Sequence, residues 1–374
     1  MKLSIKRDAL QQAFSLAQNA VATSTTMPIL ECVLLNACRE SNSITLTGNN
    51  MENLIQTCEI PATVKEAGSI AVDAKLLSNI LNKISHDTVT MDVDVNGKCI
   101  VKSGKAKFNI QSQNADEFPI VEELEGKKGT PFEINQRELK SAITGTIFSV
   151  SSDGTNLPLT GVFFEFELET LTLVAIDGFR ISKRSIACSF AQDAPLYSVI
   201  IPANAIGCLQ RMLSNDDKSV VIEIDDKHVS FVTDEFTLYT RVINGNFIDY
   251  KSKVNIQTTT DVIIDRKEFL SVIERTCIVA VAKDKTPVIF DIGTDAMTVM
   301  SVSPTDMRHE EEISAEITGN PVRLSFNPRY IHDVLKVIND DTITLRLSSP
   351  LTPCIIKSDD ESYLYLILPL RTTR

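Results

Sequence analysis

The feature that most constrains this chain is a threefold internal repeat. Three segments read alike: LSIKRDALQQAFSLAQNAV from Leu3, FEINQRELKSAITGTIFSV from Phe132 and VIIDRKEFLSVIERTCIVA from Val262. Each opens with a short alternating strand pattern and continues with apolar residues at helical spacing, which predicts an amphipathic helix with one face in a core. Because the pattern recurs about every 130 residues, the sequence predicts three tandem domains built on one plan.

Each repeat continues in the same way. A proline precedes an alternating strand, a polar turn and a second strand; these prolines are Pro28, Pro158 and Pro287. A second helix and a β-hairpin follow, the first hairpin with an Asn96–Gly97 turn. Six helices are therefore expected, over residues 8–22, 73–85, 136–149, 203–214, 266–280 and 328–338. The two halves of a repeat resemble each other, so we predict an α+β fold of three domains, each with two β-α-β-β-β motifs. The predicted domains are 1–126, 127–255 and 256–374.

Cysteine, histidine and hydropathy patterns exclude several classes of protein. The eight cysteines and four histidines show no CxxC, no HExxH and no cluster. We therefore predict no disulfide framework, no metal and no cofactor. No apolar run reaches the ~18–20 residues that a membrane span needs. The opening MKLSIKRDAL lacks the apolar region of a signal peptide. The expected location is the cytoplasm, with no membrane partner.

Motifs for catalysis are weak. The segment AIDGFR could pair a catalytic Asp177 with Arg180, but it also reads as a tight turn. In the turn, Gly178 takes a positive φ and Asp177 caps backbone N–H groups. We favour the turn and predict no catalytic residue and no enzyme, while an enzyme using Asp177 and Arg180 stays an alternative.

The charge is unevenly distributed. The net charge of −12 argues against an ordinary nucleic-acid binder. The predicted helices, however, carry a small excess of basic over acidic residues, whereas the strands and loops are acidic. If equivalent helices share one side of a repeating structure, that side could face a polyanion.

The repeats, the opening MKLSIKRDAL, the central LTGVFFEFE and LTLVAIDGFRIS and the closing YLILPLR together resemble the bacterial DNA polymerase sliding clamps. These are the beta subunits, or processivity factors, of the replicative polymerase, and the resemblance covers the whole chain. It implies a head-to-tail homodimeric ring with helices lining the hole around duplex DNA. Such a clamp binds DNA topologically and without sequence specificity. It tethers the polymerase, the clamp loader and other proteins that carry a clamp-binding peptide. A protein-binding scaffold of the same fold that no longer loads on DNA is the alternative.

The resemblance also implies a cleft for partner peptides. Its expected wall residues are Leu159, Ile176, Gly178, Phe179, Arg180, Ile181, Ile248, Leu366, Leu368, Pro369, Leu370 and Arg371. The family often has His where Phe179 stands and Pro where Ile248 stands, so peptide preference could differ here. The alternation in YLYLILPLRTTR predicts a last strand with Leu364, Leu366 and Leu368 on one side, which Pro369 ends because it lacks an N–H.

Residues for the other two surfaces follow from the same resemblance. The expected DNA-facing residues are Lys75, Lys140, Arg211 and Lys336, whereas Ser24 and Asn204 stand where the family often has basic residues. The expected dimer interface pairs an edge strand in GKAKFNI with the third repeat. Phe108 and Ile110 would pack against Ile278 and Val279 of the other chain. Lys105 and Lys107 would face Glu310, Glu311 and Glu312, a pairing that sets register more than affinity.

Overall fold

The computed structural model describes residues 1–120, 130–190, 197–279, 286–304 and 307–370. Strands of the first repeat are β1 (Lys2–Lys6), β2 (Cys32–Cys38), β3 (Ser43–Asn49), β4 (Asn53–Thr57), β5 (Ile60–Pro61), β6 (Thr63–Glu66), β7 (Gly68–Asp73), β8 (Thr88–Val93), β9 (Lys98–Ser103) and β10 (Ala106–Gln111). Strands of the middle repeat are β11 (Thr130–Asn135), β12 (Gly161–Glu167), β13 (Thr170–Ile176), β14 (Arg180–Ala187), β15 (Ser189–Phe190), β16 (Tyr197–Pro202), β17 (Ser219–Ile224), β18 (His228–Val232) and β19 (Phe236–Arg241). Strands of the last repeat are β20 (Thr260–Asp265), β21 (Val288–Ile292), β22 (Ala296–Val302), β23 (Arg308–Ser314), β24 (Glu316–Gly319), β25 (Val322–Phe326), β26 (Thr342–Leu347), β27 (Cys354–Lys357) and β28 (Tyr363–Ile367).

The helices are shorter than the apolar pattern predicts. They are α1 (Arg7–Ala17), α2 (Ala74–Lys83), α3 (Gln136–Thr144), α4 (Ala203–Met212), α5 (Lys251–Val254), α6 (Arg266–Val279) and α7 (Pro328–Val337). The predicted range 8–22 is too long because a 3-10 turn, Gln18–Ala20, follows α1. The range 136–149 is likewise interrupted, because α3 ends at Thr144 and a separate 3-10 turn covers Ile147–Ser149. The short helix α5 is absent from the sequence-based expectation.

Side-chain caps fix the starts of α2, α6 and α7; at α6 the Asp265 carboxylate accepts a hydrogen bond from the Glu268 N–H at 2.8 Å. The Asp73 carboxylate accepts a hydrogen bond from the Leu76 N–H at 2.6 Å, so Asp73 is the N-cap of α2 and not its first residue. Asn327 caps α7 in the same way, and Pro328 follows at the first helical position, where a missing N–H costs nothing. Pro28 and Pro158 lie in 3-10 turns ahead of their strands, whereas Pro287 directly precedes β21.

The chain divides into two compact units. One comprises Met1–Arg137, Ser189–Ala194 and Gly207–Val242, and the other comprises Glu138–Cys188, Pro195–Ile206 and Ile243–Arg374. Hydrogen-bonded sheets run across the boundaries between repeats, so each unit combines strands of the middle repeat with strands of an outer repeat.

The first unit contains two antiparallel sheets. The 5-stranded sheet has the order β10-β9-β8-β1-β6. The 10-stranded sheet has the order β15-β11-β17-β18-β19-β4-β3-β2-β7, with β5 on β3. In this sheet β19 of the middle repeat pairs with β4 of the first, with Leu238 opposite Ile55. Helices α1 and α2 cover the first repeat's core through the apolar faces expected from the sequence, including Leu10, Phe14 and Leu77.

The second unit is built in the same way. Its 9-stranded sheet has the order β16-β12-β13-β14-β28-β27-β26-β20-β24, and a 4-stranded sheet has the order β23-β22-β21-β25. Strand β14 of the middle repeat pairs with β28 of the last, with Ile181 opposite Leu366. Helices α6 and α7 bury Phe269, Ile273 and Leu335 in the last repeat's core. Among the described residues, no helix is long and apolar enough to cross a membrane.

Candidate functional site: an apolar cluster on the nine-stranded sheet

Strand β28 separates two apolar regions of the second unit. Tyr363, Tyr365 and Ile367 point into the core of the last repeat. Leu364 and Leu366 point to the opposite face, because side chains alternate along a strand. The predicted alternation is thus confirmed for the strand residues, which end at Ile367.

The face that carries Leu366 holds a second, smaller cluster, which we call the Leu366 cluster. It comprises Leu159, Val174, Ile176, Ile181, Tyr250 and Leu366, each no more than 8% exposed. Four of the predicted wall residues therefore lie together, contributed by the 3-10 turn Leu157–Thr160 and by strands β13, β14 and β28. The cluster includes two residues, Val174 and Tyr250, that the sequence did not single out.

Three large apolar side chains that were also expected in the wall are exposed. Phe179 is 55% exposed, Ile248 is 38% exposed and Leu368 is 37% exposed. Isolated exposed apolar residues are ordinary in soluble proteins. Here, however, the three lie on segments that also contribute to or flank the Leu366 cluster, which makes this apolar surface a candidate for binding.

The turn between β13 and β14 has the predicted geometry. Gly178 has φ +88°, a conformation that favours glycine. The Asp177 carboxylate accepts hydrogen bonds from the backbone N–H groups of Phe179 (2.9 Å) and Arg180 (3.0 Å). It also accepts one from Arg180 Nε at 2.9 Å. The interpretation of AIDGFR as a capped turn is therefore confirmed, and the Asp177 carboxylate is occupied by holding that turn.

The Arg180 side chain points away from the solvent. The residue is 9% exposed, and its guanidinium reaches Asp333 on α7, with Nη1 donating to Oδ2 at 2.7 Å. Nη2 donates to the Phe148 carbonyl oxygen. The guanidinium carbon also lies 4.4 Å from the ring centroid of Tyr330, a cation–π contact. Burial raises the pKa of Tyr330 above its usual value.

The segment after β28 is fixed by backbone hydrogen bonds on both sides. The Leu368 N–H donates to the Phe179 carbonyl oxygen at 2.9 Å, and the Leu370 N–H donates to the Ser325 carbonyl oxygen at 2.7 Å. Pro369 between them has no N–H to satisfy. Arg371, also expected in the wall, and Thr372–Arg374 lie outside the described residues.

The segment that carries Ile248 is tied to strand β12. Phe247 stacks on Phe163 with ring centroids 4.6 Å apart and an interplanar angle of 5°. The Tyr250 hydroxyl donates to Glu165 Oε2 at 2.5 Å. Burial, followed by this hydrogen bond, raises the pKa of Tyr250 far above its usual value. The Lys251 ammonium adds ion pairs to the same strand, with Glu165 at 3.0 Å and Glu167 at 2.6 Å.

The expected DNA-facing residues lie on four different helices. Lys75, Arg211 and Lys336 are exposed on α2, α4 and α7, and Lys140 is half-buried on α3. No ion pair with another described residue involves Lys75, Arg211 or Lys336. Several other basic helix residues are paired with acidic residues; examples are Arg137 with Asp217, Lys267 with Asp341 and Arg275 with Glu311.

The expected interface residues lie on two terminal strands, in the turn before one of them (Lys105) and on helix α6. Strand β10 ends the 5-stranded sheet of the first unit, and β23 ends the 4-stranded sheet of the second. Lys105 and Lys107 are exposed and Ile110 is buried, while Phe108 is half-buried. On α6, Ile278 is 72% exposed and Val279 is 5% exposed. A terminal strand keeps unpaired N–H and C=O groups that another chain can pair with.

The three consecutive glutamates of β23 are not equivalent. Glu310 and Glu312 are exposed, but Glu311 faces α6. Arg275 donates to both Glu311 oxygens, at 2.6 and 2.9 Å, and His309 Nε2 lies 3.2 Å from Oε2. The hydrogen bond from Arg275 lowers the pKa of Glu311. Glu311 is thus engaged within its own chain, and Glu310 and Glu312 are the two exposed carboxylates of this strand.

Sequence reasoning missed the residues that support the candidate site. Val174 lies within a run of apolar residues, Leu173–Ile176, in β13. That run was the only feature of the sequence that could have pointed to it. Tyr330 and Asp333 lie far from Arg180 in sequence, so only the fold brings them together. Phe163 and Phe247 are likewise joined by tertiary structure. Among the described residues, no group of three or more His, Cys, Asp or Glu side chains could hold a metal ion.

Comparison with known proteins covers the entire chain. Family sequence models match residues 1–122, 133–249 and 256–371, described as the N-terminal, central and C-terminal domains of the DNA polymerase III beta subunit. The beta sliding clamp of Bacillus subtilis is 30% identical over 383 residues, covering 100% of both chains.

Solved structures give the same result. The DNA polymerase sliding clamp of Bacillus subtilis superposes with a TM-score of 0.94 at 30% identity, covering 100% of both chains. The clamp of Pseudomonas aeruginosa bound to griselimycin superposes with a TM-score of 0.93 at 27% identity, also covering 100% of both chains. Sequence and fold agree over the full length, with three family domains in the order that the repeats predict. This chain therefore belongs to the DNA polymerase III beta subunit family, the non-enzymatic beta sliding clamps of DNA replication.

Proposed function

We propose that this chain closes into a head-to-tail homodimeric ring around duplex DNA and tethers partner proteins through the apolar surface at the Leu366 cluster. The expected partners are the replicative DNA polymerase, the clamp loader and other proteins with a clamp-binding peptide. A chain with this role works in the cytoplasm, where bacterial chromosomal DNA lies.

The observation that carries the ring is the pair of terminal strands, β10 and β23. Among the described residues each has one edge without a pairing strand, and pairing β10 of one chain with β23 of the next would satisfy both edges. The exposed Lys105 and Lys107 then have exposed partners in Glu310 and Glu312, whereas Glu311 stays with Arg275. Opposite charges across such an edge set the register of pairing.

A ring reconciles the acidic chain with DNA binding. The net charge of −12 gives little general attraction to phosphates. A closed ring does not need that attraction to stay on DNA, and weak phosphate contacts permit sliding. Lys75, Arg211 and Lys336 have no ion-pair partner among the described residues, so they remain available to phosphates; Lys140 is proposed with them because of its place on α3.

The apolar surface supports the tethering role. Side chains of the Leu366 cluster form a buried base, and Phe179, Ile248 and Leu368 leave apolar area exposed beside it. A short peptide with bulky apolar side chains would cover that area, and a few such anchors carry most of the energy in peptide recognition. The domain boundaries proposed with this function remain 1–126, 127–255 and 256–374.

Retention on DNA tests the ring. The clamp is loaded on a nicked circular plasmid with a clamp loader and ATP, separated from free protein by gel filtration, and the circle is then cut at one site. We expect the protein to remain on the circle and to leave within minutes of cutting. Equal retention on circular and linear DNA would contradict topological binding. The solution mass should be twice 41.3 kDa.

A scaffold that binds peptides without loading on DNA is the second candidate. Ser24 and Asn204 favour it, because both are exposed and uncharged where the family often has basic residues. Normal peptide binding together with absent loading and absent polymerase stimulation would support the scaffold. Substituting both with Lys separates the two candidates, since a working clamp already loads without the added charges.

A further inference from the structure

The ring of Phe179 is exposed, but hydrogen bonds fix both the N–H and the carbonyl group of its backbone. Its N–H donates to Asp177 and its carbonyl accepts from Leu368, both at 2.9 Å. The neighbouring Gly178 has a positive φ that other residues rarely adopt. An aromatic side chain that is 55% exposed on so constrained a turn is a good binding surface, because little conformational entropy is lost when a ligand packs on it.

One face of the Phe179 ring has an internal partner. The ring of Tyr330 on α7 stacks on it, with centroids 6.4 Å apart and an interplanar angle of 29°. Tyr330 in turn lies over the Arg180 guanidinium at 4.4 Å. Tyr330 therefore contacts both the buried guanidinium and the exposed Phe179 ring.

Arg180 connects the turn to helix α7. Its guanidinium donates to Asp177, inside the turn, at 2.9 Å and to Asp333, on the helix, at 2.7 Å. Hydrogen bonds between charged groups in partly buried positions are stronger than neutral ones. Arg180 also contacts the carbonyl oxygen and the ring of Phe148. Contacts with Asp177, Asp333 and Phe148 together fix the position of its guanidinium. We call the set Asp177, Arg180 and Asp333 the Arg180 bridge.

We propose that Arg180 is a positioning residue of the peptide site: the Arg180 bridge joins the β13–β14 turn to α7 and holds the Phe179 ring against Tyr330 as a wall for a bulky apolar side chain of the bound peptide. This rests on the proposed function of the Leu366 cluster as a peptide site. The Arg180 guanidinium is buried, so its contribution to binding acts through Phe179 and not through contact with the peptide.

A double-mutant cycle on peptide affinity tests this role. Four proteins are compared: the wild type, Phe179→Ala, Asp333→Asn and the double variant. The probe is a fluorescein-labelled hexapeptide with two leucines and a carboxy-terminal phenylalanine, and its Kd is measured by fluorescence anisotropy. Asp333→Asn removes the charge at the α7 end of the bridge while keeping the side-chain shape. Its side chain is 35% exposed, so the substitution is mild for the fold.

The expected result is non-additive. Phe179→Ala should weaken binding about tenfold and Asp333→Asn about threefold to tenfold, because both affect the same wall. In the double variant Asp333→Asn should add less than a twofold effect, since no ring is left to position. Wild-type affinity in Asp333→Asn, or a double variant weakened by the full product of the two single effects, would overturn the proposal.

Controls separate this proposal from a general loss of structure and from failure of the proposed function. Asp291→Asn removes a longer and more exposed ion pair away from the turn, with Arg323 at 3.4 Å, and should bind as the wild type does. Arg180→Lys keeps the charge but cannot reach both carboxylates and should weaken binding as Asp333→Asn does. Thermal unfolding midpoints of Asp333→Asn and Asp291→Asn that equal the wild-type midpoint exclude global destabilisation. If the wild type itself fails to bind the probe, the peptide site and the positioning role are both wrong; if only the cycle is additive, the positioning role alone is wrong.

Discussion

The backbone N–H of Leu368 donates to the carbonyl oxygen of Phe179 at 2.9 Å. This bond joins the segment after the last strand to the turn before β14, and it lies beyond the regular ladder in which Ile367 faces Arg180. Two exposed apolar side chains of the proposed peptide site are therefore held by one backbone contact, so their separation is set before any peptide binds.

Truncation of the two leucines near the end of the described chain should remove peptide binding. Leu368→Ala should cost about 2–4 kcal/mol of binding free energy because the peptide covers this exposed side chain, and Leu366→Ala should weaken binding by removing part of the buried base beneath it. Leu366 is 4% exposed, so its truncation also leaves a cavity and lowers the unfolding midpoint, whereas Leu368→Ala leaves the midpoint near wild type. The measurements are anisotropy titration, thermal unfolding and solution mass, and the mass should stay that of a dimer. Leu351→Ala, 73% exposed in another loop, is the matched control, and peptide affinity unchanged in the double variant would refute the site.

Charge reversal on β10 should open the ring. Lys105→Glu with Lys107→Glu would oppose Glu310 and Glu312 of the other chain, and repulsion should raise the dimer dissociation constant about tenfold or more. Sedimentation equilibrium at low salt measures this constant, and higher salt should reduce the difference.

A reciprocal change provides the control for this interface. Adding Glu310→Lys and Glu312→Lys to the β10 variant restores opposite charges and should restore the dimer. Glu316→Lys, exposed on β24, should not restore it. If none of these substitutions changes the dimer dissociation constant, the interface must lie elsewhere.

Asp360 in the β27–β28 turn should contribute to the loss of stability as the pH falls into the acid range. Hydrogen bonds from Ser358 and Ser362 lower the pKa of Asp360 from 3.8 to about 2. A carboxyl group whose pKa is lowered by folding stabilises the fold above its unfolded pKa, and this contribution is lost as pH falls through the folded pKa. Asp360→Ala should therefore lower the unfolding midpoint at pH 5 and above, with a difference from wild type that shrinks between about pH 4 and pH 2. Asp359→Ala is the neighbouring control; a difference that is constant over this pH range would argue against the assigned cause.

A side chain at Gly48 should destabilise the first unit. A Cβ at this position in β3 would lie 2.0 Å from the carbonyl oxygen of Ala17 at the end of α1. Backbone atoms cannot move aside as a flexible side chain can, so Gly48→Ala should cost about 1–3 kcal/mol and lower the midpoint of thermal unfolding. Gly154→Ala is the control, because nothing lies within 4 Å of the corresponding Cβ. Equal midpoints for the two variants would contradict the close approach of β3 to α1.

Local chemistry explains which parts of this structure could be read from the sequence. The capped turn at Asp177 and Gly178 was predictable because the conformation of a tight turn depends on adjacent residues. The alternation of Tyr365 and Leu366 between two apolar regions was predictable because strands have a period of two.

Contacts between distant residues were not predictable in the same way. Nothing near Arg180 in the sequence indicates that Asp333 completes its ion pairs, because that contact depends on how α7 packs on the sheet. Helix ends were also missed at Ala17 and Thr144, where an apolar period continues into a 3-10 turn. The resemblance gave the three glutamates of β23 the same expected role. Only the structure shows that Glu311 is paired with Arg275 while its two neighbours are exposed.

Two strand pairs join neighbouring repeats: β19 with β4, and β14 with β28. They affect how fragments of this chain should behave. A fragment ending at either repeat boundary would expose a long hydrogen-bonding edge from the interior of a sheet, and such edges promote aggregation. Single repeats expressed alone should therefore be poorly soluble, even though the first and last repeats each have an apolar core of their own. We therefore expect that a single repeat, although visible in the sequence, does not fold independently of its neighbours.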